Sequence, residues 1–255
     1  MSAVTVLAWT FSPPDYFEEP LEISCHGCSV SIADGKVEAK IDSALYDADP
    51  SIRQRLHDDL NGRFLGVQML THRAYELSGS TRTLVHSNGH KDVFVELKGV
   101  SAVVFTGNLD VRVTDKNGNV VSDSKRDRIE RKKTLAELVA KHHSTDTLLA
   151  SLLRSYDAAV RDQDNELVHL YEVQEALRIR FGGGLAARAA LSISSSQWSR
   201  MGRLCNDEPL KQGRHRGAAV GMLRDTSWGE LTEVREIALA MIEGYLRYLD
   251  GSAAP

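Results

Sequence analysis

A chain of 255 residues with 42% hydrophobic and 26% charged residues is long enough for one large or two small globular domains. No apolar run approaches a membrane span, Met1-Ser2-Ala3-Val4 lacks the basic-then-apolar pattern of a secretory leader, and three cysteines do not make a secreted disulfide framework. These features exclude an integral membrane protein with apolar helices and a disulfide scaffold, and the expectation is a soluble cytoplasmic protein with no membrane partner.

The first half reads as strands around one long helix. Val4 to Phe11 is rich in β-branched and aromatic residues and is stopped by Ser12-Pro13-Pro14. Leu21 to Ser31 and Lys36 to Ile41 read as two strands joined at Asp34-Gly35, a hairpin turn. Asp49-Pro50-Ser51 opens a helix whose apolar stripe runs through Ile52, Leu56, Leu60, Phe64, Val67, Leu70, Ala74 and Leu77. Further strands are expected at Thr83 to His86, Asp92 to Leu97, Ala102 to Phe105 and Leu109 to Val113. Arg63, His72 and Arg73 lie off the stripe and read as surface.

The polar run Ser122 to Arg128 marks a change, and from about Thr134 onward the periodicity is helical. Helices are expected around Leu135 to Val139, Leu148 to Tyr156 and Leu167 to Phe181, the last stopped by Gly182-Gly183-Gly184. The final helix carries Leu231, Val234, Ile237, Met241 and Tyr245 on one face, with Ser227 and Glu230 spaced as a capping box. The fold class is therefore α+β: an N-terminal antiparallel sheet packed on one long helix, then a C-terminal all-α bundle. The corresponding domains are 1–125, a sensor or partner-binding module, and 126–255, the helical bundle.

The segment from Arg178 to Asp225 is basic inside an acidic protein. It holds nine cations against three carboxylates, a local +6 in a chain whose net charge is −4. Eight of the nine are Arg, whose planar fork suits phosphate, and such an island points to an anionic partner. The competing explanation is a solvated helical surface with ordinary ion pairs. Within the island, Leu185 to Leu191 and Ser195 to Leu204 resemble a helix-turn-helix, with Ser194 capping the second helix. Arg188, Gln197, Arg200 and Arg203 are the nucleic-acid-binding candidates here, joined by Lys211 and Arg216 further on. In the alternative where the two helices only pack, Trp198 is core.

Asn206 to Gly217 is polar and sets His215 between Arg214 and Arg216. Flanking cations keep an imidazole neutral, so it can act as a base, while an Arg stabilises charge on a phosphorane-like transition state. His215 and Arg214 are thus the catalytic candidates of a metal-independent ribonuclease. From about Thr134 to Leu249, this helical pattern with an Arg/His loop before the last long helix resembles the HEPN superfamily of prokaryotic toxin and phage-defence proteins. The family's ribonuclease motif separates its Arg from its His by several residues, whereas Arg214 directly precedes His215. The resemblance implies an RNA-directed domain, and in many members of that superfamily a non-catalytic binding or dimerising one.

Cys25-His26-Gly27-Cys28 supplies two metal-ligand types, but a structural zinc site needs four ligands. The alternation Ile23, Cys25, Gly27 fits a strand with cysteines as small hydrophobes, so no metal and no cofactor is expected. No phosphate-binding glycine loop, dinucleotide fingerprint, zinc-protease motif or nucleophile elbow occurs. The leading expectation is nucleic-acid binding, RNA favoured over DNA, by the helical half, with a candidate ribonuclease site and a homodimer through that half. The alternatives are DNA binding by the helix-turn-helix-like segment at 185–204 and a non-enzymatic dimerising scaffold.

Overall fold

The structure, a computed structural model, describes residues 3–25, 27–49, 51–86, 91–94, 112–114, 120–214 and 222–252. An N-terminal antiparallel sheet is followed by a mostly helical C-terminal region, an α+β architecture. The chain forms two compact units: Met1–Val67 with Tyr75–Glu137, and Gln68–Ala74 with Leu138–Pro255. Of the three places where the chain passes from one unit to the other, two fall inside helices, Ile52–Thr71 and Ser124–His143, and the third, between Ala74 and Tyr75, does not.

The first unit contains β1 (Val4–Ser12), β2 (Leu21–Cys25), β3 (Cys28–Ala33), β4 (Lys36–Asp42), β5 (Glu76–Leu77), β6 (Thr81–Val85) and β7 (Lys91–Phe94). They form one sheet in the order β2-β3-β4-β1-β6-β7, with β5 on β1, and every pairing is antiparallel. Two short strands, β8 (Arg112–Thr114) and β9 (Val120–Asp123), pair separately. Helices α1 (Ser43–Ala48) and α2 (Ile52–Thr71) follow β4, and α3 (Ser124–His143) follows β9.

Alternation in β1 buries Leu7, Trp9 and Phe11 on one face. Leu7 lies opposite Ala39 and Trp9 opposite Val37, both buried, so the register carries the core across to β4. Leu60 and Phe64 of α2 are buried in the same unit. Phe64 meets the Phe11 ring edge-on at 5.1 Å and stacks on Tyr16 at 5.3 Å. The Tyr16 hydroxyl donates to the Phe64 carbonyl, 3.2 Å away. Each such ring stabilises the fold by roughly 1.5–3 kcal/mol through burial.

The first half of α3 is fastened to the same unit by Glu18, which accepts from Arg128 (2.7 Å) and from Lys132. Arg128 chiefly, with Lys132, holds the Glu18 carboxyl down to about 2 against the opposing effect of burial. A Cβ on Gly66 of α2 would lie 2.7 Å from the Ala136 Cα, so this close approach of α2 to α3 requires glycine.

The Asp34-Gly35 hairpin forms as expected, both residues having positive φ. The expected strand from Leu21 to Ser31 is instead two strands, β2 and β3, folded back on each other. The reason is Gly27, whose φ of +70° turns the chain where alternation alone suggested continuity. The helix start read near Ser122 to Arg128 falls at Ser124, and the expected strand Ala102 to Phe105 lies outside the described residues.

The second unit holds the end of α3 with α4 (Thr147–Arg161), α5 (Glu166–Arg180), α6 (Gly184–Leu191), α7 (Ser195–Gly202) and α8 (Trp228–Ser252). Its core is aliphatic, including Leu149, Leu152, Leu167, Leu170, Val234, Met241 and Leu246. Asp146 caps α4 by accepting from the Leu149 N–H at 2.6 Å. Helix α5 ends where Gly182 takes φ +74° and Gly183 N–H returns to the Arg178 carbonyl at 2.8 Å. Among the described residues no helix is long and apolar enough to cross a membrane.

Candidate nucleic-acid interface

Helix α7 runs on into a π-helical turn, Arg203–Asp207. Arg214 is pinned to that turn, its backbone N–H donating to the Cys205 carbonyl at 2.8 Å. Gly213 makes the approach feasible, since a Cβ there would lie 3.2 Å from the Leu210 carbonyl oxygen and 3.3 Å from that of Cys205. The chain leaving this loop is tied to the chain entering it. Arg224 N–H donates to the Pro209 carbonyl and Lys211 N–H to the Arg224 carbonyl, each at 3.0 Å. The Gln212 side-chain oxygen accepts from both the N–H and the hydroxyl of Thr226. The loop is thus held at its base. Residues 215–221, with His215 and Arg216, lie outside the described residues.

At the foot of the loop the Arg214 guanidinium sits over the Tyr171 ring, 5.4 Å from its centroid, while Arg214 remains exposed. Burial leads in raising the Tyr171 pKa, with Asn206 of the π-turn and Glu175, one helical turn along α5, acting on its hydroxyl. Glu175 is gripped by Arg178 at 3.1 Å, which lowers its carboxyl. The Asn206 side-chain oxygen is buried without a hydrogen-bond partner, an arrangement that costs roughly 1–3 kcal/mol and leaves an acceptor open. Arg203, at the start of the same turn, is exposed and makes no side-chain ion pair with a described residue. On the far side of the loop, Met222 and Trp228 are 95% and 77% exposed, the latter at the first turn of α8.

The structure therefore ties the backbone of Arg214 to the turn that Arg203 begins. Other members of the basic island are engaged elsewhere. Arg200 donates to Glu233 at 2.9 Å, and Lys211 to Asp225 at 2.9 Å. Arg188 donates to the Gly184 carbonyl within its own helix. Arg224, not among the expected binders, forks onto Glu230 at 2.7 and 2.9 Å. Gln197 closes a capping box with Ser194, so its side-chain oxygen is already used. Two short helices do occur at 184–191 and 195–202, joined through Ser192 at φ +58°. Trp198 is half-buried, its indole nitrogen 3.2 Å from where a Gly184 Cβ would stand. Ser227 and Glu230 cap α8 reciprocally, as the spacing predicts.

A second polar cluster lies in the same unit, and here the expectation of a surface residue fails for His72. It follows the last residue of α2 at φ +49°, with its side chain 15% exposed. Its Nε2 is 3.4 Å from a carboxylate oxygen of buried Glu166, without hydrogen-bond geometry, and neither ring nitrogen has a hydrogen-bond partner. Arg235 forks onto Glu166, one contact being 2.8 Å. Burial first, then the Arg235 charge, push the imidazole down to about 4. Arg63 is also largely covered, at 12%.

Cys205 is free and buried, its thiol pushed up to about 12 by burial, so it is no nucleophile near neutral pH. Cys28 is disulfide-bonded, which replaces the small-hydrophobe reading of that residue. Among the described residues no group of three or more His, Cys, Asp or Glu is placed to hold a metal ion. Tyr171 and Trp228 are site residues beyond the sequence candidates. Tyr171 sits within an apolar-periodic helix and so reads as core, whereas a lone Trp directly after a capping Ser was a usable signal. Comparison with family models, with curated proteins and with solved structures gave no match.

Proposed function

We propose that the helical unit binds RNA at the corner formed by α5, the π-turn and the clamped loop. The observation that carries this reading is the exposed Arg214 guanidinium held over Tyr171, with exposed Arg203 starting the turn to which the Arg214 backbone is bonded. A planar cation on an aromatic ring presents donors to phosphate and a flat face to a base. Exposed Trp228 adds a stacking platform at the other end of the loop. Such stacking favours single-stranded RNA, whose bases are free to splay out, over duplex DNA. DNA reading by Gln197 and Arg200 has less support, because one is held in a cap and the other in an ion pair.

With the HEPN-like reading of the helical half, His215 is the base of a metal-independent ribonuclease and Arg214 its phosphate ligand. RNA is met in the cytoplasm, and exposed Ile179 and Leu185 offer an apolar contact for a homodimer of this unit. The test is labelled transfer RNA incubated with the protein in chelator, run on native and denaturing gels beside His215→Ala and Arg214→Ala. The expected result is retardation by the parent, loss of retardation with Arg214→Ala, and cleavage that His215→Ala abolishes. Retardation without cleavage leaves binding and removes the nuclease. Absence of retardation at protein concentrations of about 10 μM, where nonspecific binders already associate, would overturn the binding reading.

A further inference from the structure

The first unit contains a cavity of about 420 Å³ where the β2–β3–β4 part of the sheet faces α1 and α2. Buried Val30 and Ile41 contribute from the sheet, and Ile52 and Leu56 contribute from α2. Leu45 of α1 reaches the Gly27 turn so closely that a Cβ there would be 2.1 Å from its Cδ1, closing the space beside the β2–β3 hairpin. This volume and apolar lining match small-molecule sites, which hold an apolar body and orient it with a few polar groups.

The polar group here is Arg63. Its side chain is only 12% exposed, and its Nε donates to Asp59, one turn earlier, at 2.8 Å. A guanidinium carries five N–H donors. The two Nη groups of Arg63 make no bond with a described residue and are not sealed from solvent. The second Arg of the lining, Arg55, is 61% exposed and already engaged by Asp49 at 2.8 Å and by Ser51. Asp59 is the lining's one carboxylate against these two cations, and it faces Arg63 through Nε.

We propose that this cavity binds a small carboxylate with an apolar tail, the tail lying on Val30, Ile41, Ile52 and Leu56 and the carboxylate forked by the Nη groups of Arg63. A carboxylate is the anion whose geometry matches two parallel guanidinium donors. The apolar lining excludes a purely polar anion, because each methylene buried contributes about 0.8 kcal/mol. The first unit is then the ligand-sensing half of the chain, and this assignment does not depend on RNA binding by the other half.

The test is calorimetric titration of the full-length protein with decanoate, decanol and decylamine, repeated on Arg63→Met and Val30→Phe. Decanoate is expected to bind the parent about tenfold or more tightly than decanol, with decylamine weakest, as expected when a charge-assisted bond of roughly 1.5–3 kcal/mol is gained. Arg63→Met should abolish the preference for decanoate over decanol while leaving decanol bound. Val30→Phe should weaken both by filling the floor. Decanoate binding no tighter than decanol, or a preference that survives Arg63→Met, overturns the proposal. So does the absence of heat from all three ligands up to about 1 mM, the weak end of measurable affinity. The comparison of ligands on the parent stands even where a variant fails to fold.

Discussion

Lowering the pH from about 7 to about 5 tests the placement of His72. Its imidazole is pushed from 6.5 to about 4 by burial and by Arg235. A group with a depressed folded pKa binds protons first in the unfolded chain. Its contribution is intact above the unfolded value near 6.5, declines as the pH falls, and levels off below about 4 once the folded form also protonates. At pH 5 the unfolded His is almost fully charged and the folded one is about nine-tenths neutral. The linkage integral then gives a loss of about 2 kcal/mol between pH 7 and pH 5. The side chain is well covered, so little of this is removed by solvent screening. His72→Asn removes the titration and tolerates the positive φ better than most residues. Urea unfolding of both proteins across this range, followed by circular dichroism, should show the parent losing about 2 kcal/mol more than the variant. Parallel pH dependences would refute the buried imidazole that lacks a hydrogen bond. Glu18 and Glu230, both held at about 2, act in a lower window and do not confuse the comparison.

Glu18→Gln should destabilise the first unit by about 1 kcal/mol, because it removes the carboxylate shared by Arg128 and Lys132 from a partly exposed site where solvent screens the pairing. The stability that Glu18 contributes is present above about 4.5 and is lost as the pH falls toward 2. An acid-unfolding curve of the variant should therefore lack that component, and retention of the parent's curve would count against the triad. Gly66→Ala gains up to about 1 kcal/mol of helix propensity but drives a methyl to 2.7 Å from the Ala136 backbone. The net expectation is a loss of about 1–3 kcal/mol in unfolding free energy, read as a lowered urea midpoint, and an unchanged or raised midpoint would show that α2 and α3 separate easily. Trp228→Ala should weaken single-stranded RNA binding by about tenfold or more, a stacking contribution of roughly 1–3 kcal/mol, with little change in stability because the ring is exposed. Unaltered affinity in anisotropy titrations would remove Trp228 from the interface.

Period and punctuation carried the fold. Alternation in Val4 to Phe11, the Asp34-Gly35 turn and the stripe of α2 as far as Leu70 each reflect local rules that packing left intact. Ala74 and Leu77, by contrast, lie beyond α2, which ends at Thr71 before His72 at φ +49°, and Leu77 pairs with β1 in β5. Gly27 broke the pattern because a single positive φ reverses a strand without altering the apolar alternation on either side. Charge was less legible. The island's cations are adjacent in sequence, but their partners, Glu233 for Arg200 and Glu230 for Arg224, sit on α8, so the local +6 overstates the free charge. His72 was hidden for a similar reason. Its surroundings, Glu166 and Arg235, come from distant helices, and no spacing in the sequence announces that convergence. Tyr171 was legible as a helical residue, but its use beneath Arg214 depends on a π-turn that periodicity does not signal.

RNA binding at the Arg214 corner is tested most directly by anisotropy of a labelled single-stranded RNA against the parent and Arg214→Ala at several salt concentrations. The affinity of the parent is expected to fall linearly on a double-logarithmic plot as salt rises from about 50 to 200 mM. Arg214→Ala should bind more weakly, with a slope smaller by about one released counterion. An Arg214→Ala protein with the parent's affinity and slope, or a parent that binds no RNA at about 50 mM salt, would contradict the assignment.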